Sequence, residues 1–246
     1  MSVITYDDYI WGDKFKLEFE SLGLYSNIDY VYSLNSNLNV VITHNGDYAV
    51  DDEKIKYFKN LKYWFGQNII STDPRAIPIP IGLENDYIYY GKPNKKIYLF
   101  EKSKVNFKPS KLCYLNCNIQ TYPIDRLSAY NYFQNQTWCT TKSHNSISYA
   151  EFCNDILDHK FIISPRGNGL DCHRTWEALY LKKFIIMKNY PGLVNLYSDL
   201  PVIFVNSWNE VSENMLNEKF EFMKNQIFNY EKLKISYWID LIKKSL

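Results

Sequence analysis

Residues 161–181, FIISPRGNGLDCHRTWEALYL, restrict the fold more than any other stretch of this chain. Phe161-Ile162-Ile163 is a short, continuous apolar run of the kind that forms a parallel strand buried on both faces. Ser164-Pro165-Arg166-Gly167-Asn168-Gly169 follows, with two glycines in three positions. A helix then begins, its apolar residues Trp176, Leu179 and Tyr180 recurring at helical spacing and Asp171 positioned as its cap. Strand, glycine loop and helix start together aim free backbone N–H groups and a positive dipole end at an anion. Arg166, His173 and Arg174 flank that corner, and a diphosphate suits their charge and spread. Glu177 lies one turn further along, on a neighbouring face of the helix.

The same stretch resembles the donor-binding signature of exostosin-like glycosyltransferases. The likeness is carried by Ser164-Pro165-Arg166-Gly167, His173-Arg174, Trp176-Glu177-Ala178-Leu179 and the strand-like Phe184-Ile185-Ile186-Met187. Two upstream blocks are similar to small viral and bacterial members of that group. They are Ile42-Thr43-His44-Asn45-Gly46-Asp47 and Ile77-Pro78-Ile79-Pro80-Ile81-Gly82-Leu83-Glu84-Asn85. The resemblance implies a GT-B arrangement, an α/β protein with two Rossmann-like parallel-sheet halves facing a cleft. It also implies transfer of a sugar from a nucleotide-diphosphate donor. Residues 1–108 would form the acceptor side and residues 109–246 the donor side. Residues 103–110, polar, aperiodic and carrying Pro109, mark the boundary between them.

Apolar runs at 28–33, 39–43, 62–66, 76–81, 111–116, 137–141, 161–164, 184–187 and 201–205 read as strands. Helical patterns run over 122–134, 146–158, 171–181, 211–226 and 231–244. From residue 111 onward strand and helix alternate, which predicts a parallel, doubly wound sheet. In IPIPIGLEN the alternating prolines forbid a central ladder position, so this segment is an edge or cleft-lining piece. The terminal SYWIDLIKKSL carries Trp238, Leu241 and Ile242 on one face, a stripe suited to docking back onto the first half.

A net charge of +1, with basic residues dispersed, gives no electrostatic case for nucleic acid or an anionic membrane, so phosphate recognition must be local. The 22 tyrosines accompany a general bias toward Asn, Lys and Ile, and reflect composition before function. Cys113, Cys117, Cys139, Cys153 and Cys172 form no CxxC pair and leave one thiol over, which fits a reducing compartment. No signal-peptide core and no run approaching about 18 apolar residues is present, so a soluble, cytoplasmic protein is expected.

The chemical groups divide between the halves. Arg166 and Arg174 can each donate paired hydrogen bonds to phosphate, or pair structurally with Asp171 or Glu177. Gly167, Asn168 and Gly169 let backbone approach the diphosphate or simply make the turn. The resemblance implies that Glu177, as a carboxylate on the donor-side helix, accepts hydrogen bonds from ribose hydroxyls; by itself it reads equally as a surface or capping glutamate of a helix. His173 could touch the diphosphate or donate a proton to the departing nucleotide. Cys172, beside the helix start, should have a lowered pKa, but no partner set makes it a nucleophile. Asp47 and His44, just past an apolar strand, are rival general bases for an acceptor hydroxyl, or Asn45-Gly46-Asp47 simply makes a turn. Glu84 and Asn85 are candidates for the acceptor side or for an interdomain turn. No Asp-x-Asp, P-loop or complete GxGxxG occurs.

The expectation is therefore an inverting glycosyltransferase using a nucleotide-diphosphate sugar, with UDP as the nucleotide, without metal or other cofactor, and acting on a glycan or glycoprotein. Neither nucleic acid nor stable membrane insertion enters this reading. The alternatives are a catalytically inactive nucleotide-sugar or glycan-binding module, and a magnesium-dependent phosphotransferase.

Overall fold

In the computed structural model, which describes residues 4–85, 95–143 and 146–246, the chain forms two parallel sheets with helices packed around them. The first sheet contains β1 (Tyr25–Asn27), β2 (Val40–His44), β3 (Tyr63–Gly66) and β4 (Ala76–Pro78), in that spatial order. The second contains β5 (Lys111–Cys117), β6 (Cys139–Ser143), β7 (His159–Ile163), β8 (Phe184–Lys188) and β9 (Val202–Val205). Its spatial order is β6-β5-β7-β8-β9. This is the α/β architecture with two Rossmann-like halves anticipated above.

Each connection in the second half is helical. α4 (Pro123–Phe133) links β5 to β6, α5 (Tyr149–Asp158) links β6 to β7, and α6 (His173–Tyr180) links β7 to β8. α7 (Pro191–Tyr197) then links β8 to β9. Local chemistry fixes these starts: Pro123 and Pro191 open α4 and α7, where a missing N–H has no consequence. Ser148 and Glu151 close a reciprocal capping box on α5. Counted within this half alone, the strand order is 2-1-3-4-5, with its reversal between β5 and β7. In open sheets of this kind, ligands sit beyond the carboxyl ends of the strands at that reversal.

The first half departs from the sequence reading. Residues 28–33 form 3-10 turns instead of a strand, because the Asn27 side chain accepts the Asp29 N–H and initiates a turn. The strand lies just upstream, as β1. Helices α1 (Gly12–Phe19), α2 (Asp52–Tyr57) and α3 (Lys95–Ser103) are present where no helix was expected. The proline-bearing β4 occupies a sheet edge, where a lost ladder N–H does no harm.

One apolar core runs through both halves. It joins Ile42 and Phe65 of the first sheet to Tyr114, Ile162 and Ile185 of the second, through Tyr9, Phe15, Phe19 and Trp176. Each such side chain contributes roughly 1.5–3 kcal/mol on burial. Tyr9 and Tyr180 pack with ring centroids 4.2 Å apart, while the Tyr180 hydroxyl accepts from Ile10 N–H and donates to the Leu233 carbonyl. The last two helices are α8 (Glu213–Met223) and α9 (Ile235–Lys243). α9 buries Ile235, Trp238 and Ile242 and returns to α1, where Lys243 pairs with Glu18. The five cysteines are buried free thiols. Among the described residues, no helix is long and apolar enough to cross a membrane.

Candidate functional site

The carboxyl ends of both sheets open onto one cleft with two adjoining compartments. The larger, about 570 Å³, is walled by Asn116 and Asn118 at the end of β5, by Arg126 of α4, and by Ser148, Tyr149 and Phe152 of α5. Gly167, Asn168, Gly169, His173, Arg174 and Glu177 complete that wall, with Asp47, Ile81 and Glu84 facing them from the first half. This is the strand-order reversal of the second sheet, and volumes of this size hold small organic ligands. The smaller compartment, about 520 Å³, is lined mainly by the first half, including Asn45, Asp47, Gln67, Glu84 and Asn85.

The starts of α5 and α6 both border the larger compartment, so two positive dipole ends flank it. Arg174 lies in the first turn of α6, and its Nη1 is buried with no hydrogen-bond partner. Arg126 donates from Nε to the Arg166 carbonyl (2.8 Å) and from Nη1 to the Asn118 carbonyl (2.7 Å). Burial, and secondarily the neighbouring Arg174 charge, pull the Arg126 pKa below its ordinary value. Two guanidinium groups on one wall, neither in an ion pair among the described residues, can attract an anion. The Glu177 carboxyl of the same wall also feels the Arg174 charge. Arg126 escaped the sequence reading because only the fold brings α4 to this loop, 40 residues later in the chain.

Other groups differ from expectation. Arg166 curls over its own loop, donating to the Gly167 and Asn168 carbonyls and stacking on Tyr122 with 4.3 Å to the ring centre; it does not line either compartment. The loop amides are largely engaged. Gly167 N–H donates to the Gly169 carbonyl, Leu170 and Asp171 N–H to Asn68 Oδ1, and Arg166 N–H to Asp125. Side chains therefore offer more free donors at this wall than the glycine loop does. An added Cβ at Gly169 would meet the multiply bonded Asn68 amide at 2.6 Å, and one at Gly167 would meet Arg126 Nη2 at 2.9 Å and press on that guanidinium.

Asp171 is not the helix cap. It is buried and accepts from Ile81 N–H, Trp176 Nε1, Cys172 N–H and Tyr197 Oη. Burial raises its pKa and those donors pull it back. The helix begins at His173 after Cys172. The Cys172 thiol is pushed up by burial, against the lowering expected from a helix start, because desolvation outweighs the neighbouring arginines. Glu177 is half-buried on the same wall. Burial lifts its carboxyl above the ordinary range, opposed first by the adjacent Tyr149 hydroxyl.

His173 and Asp47 join the two halves. His173 Nδ1 donates to the Gly82 carbonyl (2.8 Å), leaving Nε2 as its other nitrogen, and the residue lines both compartments. Asp47 is exposed between the compartments, its Oδ2 accepting from Asn168 Nδ2 at 3.1 Å. Asn68 is buried and bridges the halves: Nδ2 donates to the Gly46 and Asp47 carbonyls while Oδ1 receives the two loop amides named above. Asn85 accepts Asp13 N–H and donates to Asn45 Oδ1, and Glu84 pairs with Lys95 at the cleft rim.

His44 stands apart from its rival. Its Nε2 donates to the Pro80 carbonyl (2.8 Å), its Nδ1 accepts Asn45 N–H (2.8 Å), and its ring stacks on Phe15. Burial pulls its pKa down to about 4. A neutral, enclosed ring with both nitrogens engaged has no site left for an acceptor proton.

No protein-family model matches the chain, and no curated protein matches it. Among solved structures, an α1,3-fucosyltransferase with GDP-fucose is similar at 12% identity, with a TM-score of 0.35. That match covers 98% of this chain and 83% of the other. The overlap is too loose to assign any residue a role.

Proposed function

We propose that the chain is an inverting, metal-independent glycosyltransferase that uses a nucleoside diphosphate sugar, with UDP as the nucleotide. The supporting observation is the buried, unpartnered Arg174 Nη1 beside Arg126, at the strand-order reversal of a parallel sheet. A buried guanidinium N–H without an acceptor is costly, and an anionic ligand offsets that cost. In this reading Arg174 and Arg126 hold the diphosphate, Glu177 accepts from the ribose hydroxyls, and the block over residues 164–187 that resembles exostosin-like enzymes forms the donor wall. Residues 1–108 then supply the acceptor side.

The reaction follows from the two-wall arrangement. An acceptor hydroxyl oxygen attacks the anomeric carbon from the first-half side while the bond to the diphosphate oxygen breaks. Asp47 takes the hydroxyl proton, and the two guanidinium groups neutralise the charge gathering on the departing nucleotide. His173, held by Gly82, stands beside that leaving group. The acceptor is a glycan or glycoprotein hydroxyl.

The test is release of UDP from UDP-sugars, measured with and without glycan acceptors, in wild type and Asp47→Asn. Asp47→Asn should lower turnover at least about a hundredfold while UDP affinity stays within twofold. UDP binding with no turnover on any donor would instead establish a non-catalytic nucleotide-sugar-binding module.

A further inference from the structure

Asn116 is fully buried at the end of β5, and its Oδ1 has no hydrogen-bond partner. Its Nδ2 donates to the carbonyl of Lys142, its register partner on β6, at 3.4 Å. That contact fixes the amide orientation, since the nitrogen must face the carbonyl and the oxygen must face elsewhere. Asn116 lines the larger compartment, as Arg174 does. Three buried side-chain polar atoms lack partners among the described residues, and two of them belong to residues that line this one cavity. The third, Tyr9 Oη, belongs to a residue that lines neither compartment.

The two orphans ask for opposite things. Arg174 Nη1 is a donor and requires an acceptor such as a phosphate oxygen. Asn116 Oδ1 is an acceptor and requires an O–H or N–H. A diphosphate at neutral pH offers only acceptors, so it cannot satisfy Asn116. In the proposed function Asp47 takes the acceptor proton and so draws the transferred sugar toward the first half, while Glu177, in the same compartment as Asn116, takes the ribose hydroxyls. The group that reaches Asn116 therefore belongs to the nucleoside, whose ribose hydroxyls and ring N–H are its donors.

We propose that Asn116 is a specificity-determining residue that accepts a hydrogen bond from the nucleoside of the bound nucleotide. This rests on the reading of the cavity as a nucleoside diphosphate site. A neutral hydrogen bond supplied by the ligand satisfies an acceptor that the folded protein leaves empty. The unliganded protein thus tolerates an unsatisfied group whose use is selection of the ligand.

The test is calorimetric titration of UDP and of inorganic pyrophosphate into wild type and Asn116→Leu, with melting temperatures of the unliganded proteins. Asn116→Leu should weaken UDP about fivefold, leave pyrophosphate within twofold, and melt at the wild-type temperature or higher. Asn116→Ala provides the same comparison if the leucine variant does not fold. Unchanged UDP affinity in a folded variant would overturn the proposal and leave Asn116 holding only a water. Equal weakening of UDP and pyrophosphate would also overturn it, reducing Asn116 to support for the guanidinium wall. A wild type that binds neither ligand would overturn the cavity reading itself, and this inference with it.

Discussion

The two walls of the cleft are built on opposite terms. On the first-half side the polar side chains are engaged: His44 uses both ring nitrogens, Asn85 uses both amide atoms, and Asn45 and Asn68 are linked several times over. On the second-half side Arg174 Nη1 and Asn116 Oδ1 are buried and unmatched. A satisfied network holds a shape, whereas an unsatisfied one is an affinity waiting for a ligand. The proposed function follows this difference, giving positioning to one wall and binding to the other.

The largest effect should come from cutting the bridge that sets the walls at a fixed separation. Asn68→Ala removes the partner of two buried loop amides and of the Asp47 carbonyl, while the Gly46 carbonyl keeps Gln67 Nε2, at a position with left-handed φ of 56°. A stability loss of about 3 kcal/mol or more is expected in urea unfolding, because each buried unmatched group costs roughly 1–3 kcal/mol. A loss under about 1 kcal/mol would show that the walls are held by the shared core alone.

The next effect reads the satisfied wall through pH. His44 is neutral when folded, its pKa moved from 6.5 to about 4, so the unfolded chain binds an extra proton between those values. Stability contributed by His44 is therefore fully present above about pH 6.5 and is lost as pH falls toward about 4, a span worth about 3 kcal/mol. Urea midpoints across that window should fall with acid in wild type and flatten in His44→Gln. An equal slope in both proteins would mean that His44 is not enclosed.

Much of the second-half wall was legible in the sequence, and most of the first-half wall was not. The run Phe161-Ile162-Ile163 and the periodic Trp176, Leu179 and Tyr180 point to β7 and α6 because burial imposes a period that one segment shows by itself. Arg174 was visible because it sits in that same segment. Arg126 and Asn116 lay inside patterns that read only as a helix and a strand, and their place in the cleft comes from the crossover geometry of the sheet. α1 and α2 were hidden for another reason. They are short, α1 has no side-chain cap, and α2 buries little beyond Ile55. Asp171 was misread because a carboxylate before a helix normally caps it, and nothing local showed that Trp176, Tyr197 and Ile81 would converge there.

The central claim is that Arg174 is held vacant for a phosphate oxygen, and titration of UDP into wild type and Arg174→Ala tests it most directly. Loss of a charge-assisted contact worth about 1.5–3 kcal/mol should weaken UDP at least about tenfold, with the melting temperature of the free protein unchanged or raised. Equal UDP affinity in a folded Arg174→Ala protein would contradict the account.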